Sequence, residues 1–381
     1  MPDIYYGRGT KEQFDDYMDF INYVFGFNGN ESDFKKLLPK LYKPELMPAY
    51  NSFNVIKDGK FMAAIGAYPG SLEVCGVKLK TCGIGNVAVH PYHRGEGYMK
   101  TCLNMAIDEM VKDGVDLSSL GGQRQRYNYF SYENAGVNYA LGINKTNLRH
   151  AFGNKKTDVE AIAVTKDDYI YLNYIKDAYK KGNYVPYRDD ERLFDVLCSW
   201  RAKPYIFKKD NEIIGYCVLN GENITEVYAE RPEMIVDFVR ALMEFNNNIN
   251  IGLPPFKTEY LEPLEDISNG ISITKGHMFT VLNYKNVVKA FMLLKNTYEA
   301  LPDGEMKLLI HGRGGDEKLI IKVECGNITV ENYEGDDYIE LQHIEALRFI
   351  FSHCYFKRSK ISPFAEKWFP LPIWEYSVDA V

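Results

Sequence analysis

Val87-Ala88-Val89-His90-Pro91-Tyr92-His93-Arg94-Gly95-Glu96-Gly97-Tyr98 is the stretch on which the fold turns. The valine alternation reads as a strand, Pro91 ends it, and Gly95 and Gly97 lead the chain into a helix. That helix presents Met99, Cys102, Leu103, Ala106, Ile107, Met110 and Val111 on one side and stops at Asp113-Gly114. A strand that passes through a glycine-punctuated turn into a helix makes an anion cradle. The helix start offers unpaired N–H groups and the positive end of its dipole, and glycine lets the backbone come close. The chain has no Gly-x-Gly-x-x-Gly opening a βαβ unit near its start, and no Gly-Lys-Ser/Thr. Dinucleotide and nucleoside-triphosphate loops are thereby set aside.

Upstream, residues 4–7 read as a strand, and Thr10 with Gln13 as a capping box. Phe14, Tyr17, Met18, Ile21 and Phe25 then keep helical spacing. Residues 54–57 and 61–68 flank Asp58-Gly59, a hairpin signal, and 72–77 and 80–89 continue the meander. Downstream come a strand at 115–120, a Gly121-Gly122 turn and a short helix containing Tyr127. The alternation of strands and helices predicts a mixed sheet with helices on its faces, hence an α+β fold.

Residues 204–216 echo residues 53–65 as strand, lysine-and-acid turn, strand. The helix over 232–245 follows the strand at 224–228 with no glycine-rich turn between. This reads as a repeat of the first unit without its cradle, with a generic hairpin as the other reading. A third unit has a helix over 287–301, strands at 307–311, 318–323 and 328–331 around Gly312-Arg313-Gly314-Gly315, and a helix over 344–351. The expected boundaries are therefore 1–150, 151–285 and 286–381. The last 19 residues, 363–381, are too aromatic and apolar for a free tail and should dock.

A length of 381 residues suits two or three domains. With 46% hydrophobic and 25% charged residues, the composition is globular. The net charge of −7 argues against nucleic acid as a partner and favours cationic small molecules. No apolar run is long enough to span a bilayer, and the start lacks the pattern of a secretory leader. Seven scattered cysteines without zinc spacing predict reduced thiols in a cytoplasmic chain. His90 and His93 flank Pro91 with no further ligands nearby, so no metal is expected.

The Arg94-Gly95-Glu96-Gly97-Tyr98-Met99 turn after Val-x-Val resembles motif A of the GNAT acetyltransferases, Arg/Gln-x-x-Gly-x-Gly/Ala. Met99 departs from the final small residue. Tyr127-Asn128-Tyr129-Phe130-Ser131-Tyr132 resembles the Tyr-x-x-Phe-Gly-Tyr of the Eis (enhanced intracellular survival) family, with Ser131 in place of glycine. Gly95 stands where that family has a second arginine, and Gly122 where some members have a serine. The resemblance spans essentially the whole chain. It implies tandem GNAT folds followed by a sterol carrier protein-like α/β domain, a homo-hexamer, and acetyl-CoA-dependent N-acetylation of amines such as aminoglycosides.

By that resemblance, Val87, Ala88 and Val89 pair with pantetheine, and Arg94, Gly95, Glu96, Gly97, Tyr98 and Met99 hold the pyrophosphate, with Gly122 nearby. The Val87 N–H, in a strand bulged near Gly85-Asn86, stabilises the oxyanion. Tyr127 protonates the leaving thiolate, with Tyr129 and Tyr132 close enough in sequence to compete for that role. The terminal carboxylate of Val381 is the base, directly or through water. Phe25 and Phe27 lie where family members line the acceptor pocket, with packing under a loop as the other reading. Independently of the resemblance, Asp15, Asp16, Asp19, Glu31, Asp33 and Asp379 are the acids open to a polycationic substrate, with solvated surface charge as the other reading. An acyl-carrying or acyl-CoA-sensing protein, and an acetyltransferase of protein lysines, are the other functions open at this point.

Overall fold

The structure is a computed structural model that describes residues 3–29, 32–361 and 365–381. Glu31 lies outside the described residues. In chain order, the strands begin with β1 (Ile4–Arg8), β2 (Ser52–Lys57), β3 (Lys60–Val74), β4 (Val77–Val89), β5 (Leu117–Leu120) and β6 (Glu133–Asn134). There follow β7 (Val137–Asn144), β8 (Glu160–Ala163), β9 (Tyr184–Pro186), β10 (Lys203–Lys209), β11 (Glu212–Asn220), β12 (Asn223–Ala229), β13 (Asn248–Leu253) and β14 (Ile271–Lys275). The last are β15 (Met278–Val281), β16 (Gly304–Gly312), β17 (Gly315–Glu324), β18 (Asn327–Asn332) and β19 (Ile339–Gln342).

Three sheets result. The first has the order β1-β2-β3-β4-β5-β15-β6, with β9 on the far stretch of β3. The second reads β8-β10-β11-β12-β13-β7-β14, the same pattern of one parallel pair set among antiparallel neighbours. β15 sits between β5 and β6 just as β7 sits between β13 and β14. The two sheets have therefore exchanged a strand. This differs from boundaries at 150 and 285, since β7 falls before the first and β15 before the second. The crossing point explains the exchange. Ala135-Gly136 and Gly276-His277 pass against each other, joined by Ala135 N–H to His277 C=O at 2.9 Å. A Cβ on Gly276 would run into the Ala135 carbonyl, and one on Gly136 into the Ile373 carbonyl. Glycine at 276 lets the two segments cross, and glycine at 136 lets the tail pass beside the crossing.

Hairpin chemistry follows the sequence at two places and departs from it at one. Asp58-Gly59 and Asp210-Asn211 turn with left-handed backbones, φ 49° and 77°, then 49° and 66°. Pro69-Gly70 is no turn: β3 runs straight through it, pairing Pro69 with Cys82, and reverses at Cys75-Gly76 instead. Beyond Gly66, β3 has lost β2 as a neighbour, so the missing N–H of Pro69 falls on a vacant edge.

Helix Tyr98–Lys112 buries Tyr98, Cys102, Leu103, Ala106, Ile107 and Met110 against β2, β3 and β4. Val111, expected on that side, is exposed. Helix Phe14–Gly26 buries Phe14, Tyr17, Met18, Phe20 and Ile21 on the opposite face of the sheet, and Phe25 points outward. The third sheet, β18-β17-β16-β19, packs with helix Tyr284–Asn296 and helix His343–Phe351 into one core. Its fourth strand, β19, runs parallel to β16 and was not legible in the sequence.

His343 ties the third unit to the first. Its Nδ1 accepts from Arg313 N–H at 3.1 Å, so Nε2 carries the proton and donates to the Ser131 carbonyl at 3.2 Å. Burial, reinforced by the Arg313 charge, lowers its pKa from 6.5 to about 4. The unfolded chain therefore binds a proton between pH 6.5 and 4 that the folded chain refuses. Stability contributed above pH 6.5 is lost as pH falls through that window, about 3 kcal/mol in all. Urea titrations at pH 7 and 4.5 should show this loss, and His343→Gln should flatten it. An unchanged pH slope in that variant would remove His343 from the acid sensitivity.

Candidate active site

β4 and β5 pair in parallel only from Thr81–Leu117 to Ile84–Leu120. β4 then continues five residues further with no partner on that side, and the strands part. His90 N–H donates to Met62 C=O of β3 at 2.8 Å, so by alternation the amides of Val89 and Val87 face the gap. The turn beyond has the backbone geometry of an anion cradle. Gly95 and Gly97 have φ 94° and 81°, left-handed values that demand glycine, and nothing stands within 4 Å of either ideal Cβ. Gly97 caps helix Tyr98–Lys112, whose first N–H groups open onto that space. Glu96 is the one acid in the turn. Hydrogen bonds from Tyr98 and then His93 hold its carboxyl below its usual range, and His93 Nδ1 lies 2.7 Å from Oε1. Its charge is thus engaged by the turn itself. The residues present fit a pantetheine arm and a pyrophosphate.

At the apex of the gap β4 is bulged. Asn86 and Val87 together oppose Ile65, and Asn86 has φ 33°. A buried polar network holds Asn86 there. Tyr17 and Asn86 Nδ2 are 2.6 Å apart, Tyr42 OH donates to Asn86 Oδ1 at 2.5 Å, and Tyr68 OH reaches the same oxygen at 3.2 Å. Tyr17 also meets Ser52 Oγ at 2.7 Å. Burial raises the pKa of all three phenols, so they stay neutral and the network keeps its protons. Sequence patterning registers these tyrosines only as core.

Tyr127 ends the short helix Arg124–Tyr127 and is buried in the core that Val87, Val89 and Met99 border. Its ring lies on Gly122, where a Cβ would come within 3.0 Å and where φ is 121°. Gly122 is therefore glycine for its backbone and for the ring above it. Burial raises the Tyr127 pKa, and Arg126 beside it pulls the other way. The two other tyrosines are differently placed: Tyr132 OH is 2.7 Å from Ser118 Oγ inside the core, and Tyr129 is exposed. Ser131 has φ 72°, the left-handed backbone that explains a glycine in the resembling motif.

The second sheet has lost this site for reasons visible in the same positions. Tyr260 follows the end of β13 by the seven residues that separate Tyr127 from β5. Its hydroxyl accepts from Ala229 N–H at 3.0 Å. Ala229 corresponds to Val89, since Glu230 N–H bonds to Ile214 as His90 does to Met62. The amide that is open in the first gap is thus taken in the second. The turn that follows, residues 230–234, is three residues shorter than 90–97 and holds no glycine.

The C-terminal tail crosses all three units. Trp368, Phe369, Leu371 and Ile373 are buried in the third core, Val378 in the second unit, and Val381 against the tyrosine-lined core of the first. Its end is clamped. Lys40 Nζ donates to the carbonyls of Val378 at 2.6 Å and Ala380 at 2.8 Å, and Trp200 Nε1 donates to Ala380 at 3.0 Å. Burial lowers the Lys40 pKa to about 8. Trp200 and Arg201 both have left-handed backbones, φ 60° and 65°, a local strain of about 1–3 kcal/mol each at the clamp. Asp379 pairs with Arg188 at 2.8 Å, and Arg188 also holds Glu226 at 2.6 Å.

Val381 rests where β4 has no side chains. A Cβ on Gly83 would meet Val381 Cγ2 at 2.5 Å, and one on Gly85 would meet the terminal carbonyl carbon at 3.0 Å. The carbonyl carbon of Val381 is thereby set one residue before the bulge. A cavity of about 350 Å³ opens beside it, lined by Lys40, Tyr68, Ser119, Glu375, Asp379 and Val381 among others.

The structure thus gathers Val87, Val89 and the cradle into one gap, with Tyr127 against its core, and brings Val381 and Asp379 together at a cavity. Phe25 and Phe27 are not part of that cavity. Both are exposed, Phe25 against Phe34 and Phe27 against Tyr92, because they lie beyond the last buried turn of their helix. Asp33 caps the helix Phe34–Leu37. Lys40, Arg188, Trp200 and Glu375 were missed. The one available signal was glycine at alternate positions, 83 and 85, inside a strand. Among the described residues, no group of three His, Cys, Asp or Glu is placed to hold a metal, and no helix is long and apolar enough to cross a membrane.

Comparison with known proteins agrees with this geometry. The family description that matches is an acetyltransferase (GNAT) domain, over residues 6–140. No curated protein sequence matches. Among solved structures, a GCN5-related N-acetyltransferase from Anabaena variabilis aligns over 100% of both chains, with TM-score 0.70 and 13% identity. One from Kribbella flavida aligns over 100% of this chain and 99% of its own, with TM-score 0.68 and 14% identity. Eis1 from Mycobacterium abscessus aligns over 98% of each chain, with TM-score 0.61 and 13% identity. These likenesses establish the fold. Residues 6–140 match the description of a GNAT acetyltransferase domain, and the enzyme class this supports is N-acetyltransferase.

Proposed function

We propose that the chain transfers an acetyl group from acetyl-CoA to a primary amine in a ternary complex. The observation that carries this reading is the seat of Val381 on Gly83 and Gly85, which sets a carboxylate beside the bulge at the head of the pantetheine gap. The free amides of Val87 and Val89 pair with the pantetheine arm, and the N–H groups from Arg94 to Met99 hold the pyrophosphate. The Val87 amide, turned out by the bulge, faces the oxygen on which charge develops. Tyr127, kept protonated by burial, donates to the departing thiolate. The terminal carboxylate accepts a proton from the attacking nitrogen.

The cavity favours a cationic acceptor. Its wall carries Asp189, Glu375, Asp379 and the Val381 carboxylate against Lys40, Arg188 and Arg192, and Arg188 is drawn on further by Glu226 behind it, which leaves acid in excess. Aminoglycosides and polyamines fit this description. The same reading carries a hexameric assembly, a sterol carrier-like third unit and a cytoplasmic setting; all seven cysteines are unpaired.

The test is release of free coenzyme A with a panel of aminoglycosides, polyamines, peptides and lysine-bearing proteins. Release with at least one amine is expected, with loss on the order of 100-fold when Val381 is deleted. Absence of release with every amine would sink the enzyme reading. Full activity after deletion would remove the carboxylate from the chemistry.

A further inference from the structure

The tail separates two cavities that share part of one wall. The smaller holds the terminal carboxylate. The larger, about 750 Å³, lies between the first two sheets and is bounded by Gly121, Gly122, Asn138 and His277. Trp374 and Glu375 line both. Glu375 is fixed by a 2.6 Å hydrogen bond from Ser119 Oγ to Oε1, and Ser119 is the β5 residue paired with Gly83, on which Val381 rests. Its other oxygen, Oε2, lies 3.6 Å from Nδ1 of His277. The His277 side chain is 35% exposed. A carboxyl on the acceptor side, an imidazole behind it and an open cavity beyond therefore lie in sequence.

We propose that Glu375 and His277 carry the acceptor's first proton out of the smaller cavity into the larger one. The inference rests on the acetyl-transfer reading and adds a route to it. Transfer to an alkylammonium removes two protons from nitrogen. The second leaves as the C–N bond forms and replaces the one Tyr127 gives to the thiolate, so coenzyme A departs as the thiol. The first must leave before the nitrogen has a lone pair to attack with, and it is the one released to solvent. An α-carboxylate near pKa 3.5 lies about 6 units below an alkylammonium, roughly 8 kcal/mol against a full transfer. Glu375 is better matched, since burial raises its pKa, and Asp379 adds to that shift while His277 and Lys40 oppose it. The Ser119 hydrogen bond also opposes the shift, and further charged or titratable groups on the walls Glu375 lines or beside it are Tyr184, Arg188, Asp189, Arg192, Lys275 and the terminal carboxylate. The proton moves from R–NH3+ to the Glu375 carboxylate, and then to Nδ1 of His277. The Nε2 proton leaves to water in the larger cavity, so no charge accumulates beside the amine. A closure of roughly half an ångström brings Oε2 and Nδ1 into hydrogen-bond range.

The experiment compares coenzyme A release by the full chain, Glu375→Gln and His277→Asn from pH 6 to 9.5. Glu375→Gln keeps the Ser119 bond and should lower kcat at pH 7 on the order of 100-fold with the acetyl-CoA KM unchanged. Its rate should keep climbing with pH where the full chain has levelled, because only free amine then reacts. His277→Asn should lose about tenfold, and added imidazole, small enough for the larger cavity, should restore most of it. Imidazole does not repair a packing defect, so rescue separates a proton carrier from a structural histidine and stands even if Glu375→Gln folds poorly. An active full chain with either variant at full rate, or with a His277→Asn defect that imidazole leaves untouched, overturns the relay alone. A full chain that releases no coenzyme A overturns acetyl transfer and the relay together.

Discussion

Gly85→Val should lower kcat about 100-fold and leave acetyl-CoA affinity within about a factor of two. Valine suits a strand, and Gly85 has no left-handed backbone, so β4 itself tolerates the change. What it meets is the terminal carbonyl carbon, 3.0 Å from the first added atom. The carboxylate must move by an ångström or more while the cradle, beyond the bulge, stays in place. Gly83→Ala supplies a sharper form of the same test, because its added carbon meets only the tip of Val381, Cγ2 at 2.5 Å. Trimming that tip by Val381→Ala should restore activity to Gly83→Ala but not to Gly85→Val. Steady-state kinetics with acetyl-CoA titrations read out both. If Gly85→Val turns over normally, the terminus is not held in its seat during catalysis.

The second large effect belongs to Tyr127. Tyr127→Phe keeps the ring on Gly122 and the core packing around it, and removes only the hydroxyl that carries the proton. We expect kcat to fall by about 10²–10³-fold, with both substrate affinities retained. Tyr129→Phe, on an exposed side chain, should change little. Tyr132→Phe leaves Ser118 without a buried partner and should cost stability of about 1–2 kcal/mol more than activity. A Tyr127→Phe chain at full rate, or a Tyr132→Phe chain with the defect instead, would move the acid from one end of this segment to the other.

Local chemistry explains how much of this site can be read in advance. The cradle is a run of consecutive residues in which each position has a backbone reason: Pro91 to stop a strand, Gly95 and Gly97 for positive φ, a helix to follow. Tyr127 lies a fixed distance after a strand, and the tail announces its docking by its apolarity. The repeat is legible for the same reason, since the Asp58-Gly59 and Asp210-Asn211 turns are both written in adjacent residues. Phe25 and Phe27 show the limit. Helical spacing marks the side of a helix that is apolar, but where burial ends depends on what lies beyond the helix, and here both rings meet only part of their surface with neighbouring aromatics and stay about 40% exposed.

The sequence by itself determined the cradle, the alternation of strands and helices, the hairpins and the fact that the tail must be buried, because each rests on periodicity or on the backbone freedom of neighbouring residues. Tertiary structure decided the rest. The strand exchange between the sheets depends on two segments crossing at Gly136 and Gly276, some 140 residues apart in sequence. The clamp on the terminus joins Lys40, Trp200 and Ala380, and the pairing of Glu375 with Ser119 and His277 draws on three separate elements. No local pattern encodes contacts whose partners are distant in the chain, and those contacts set Val381 at the head of the gap that the glycine turn begins.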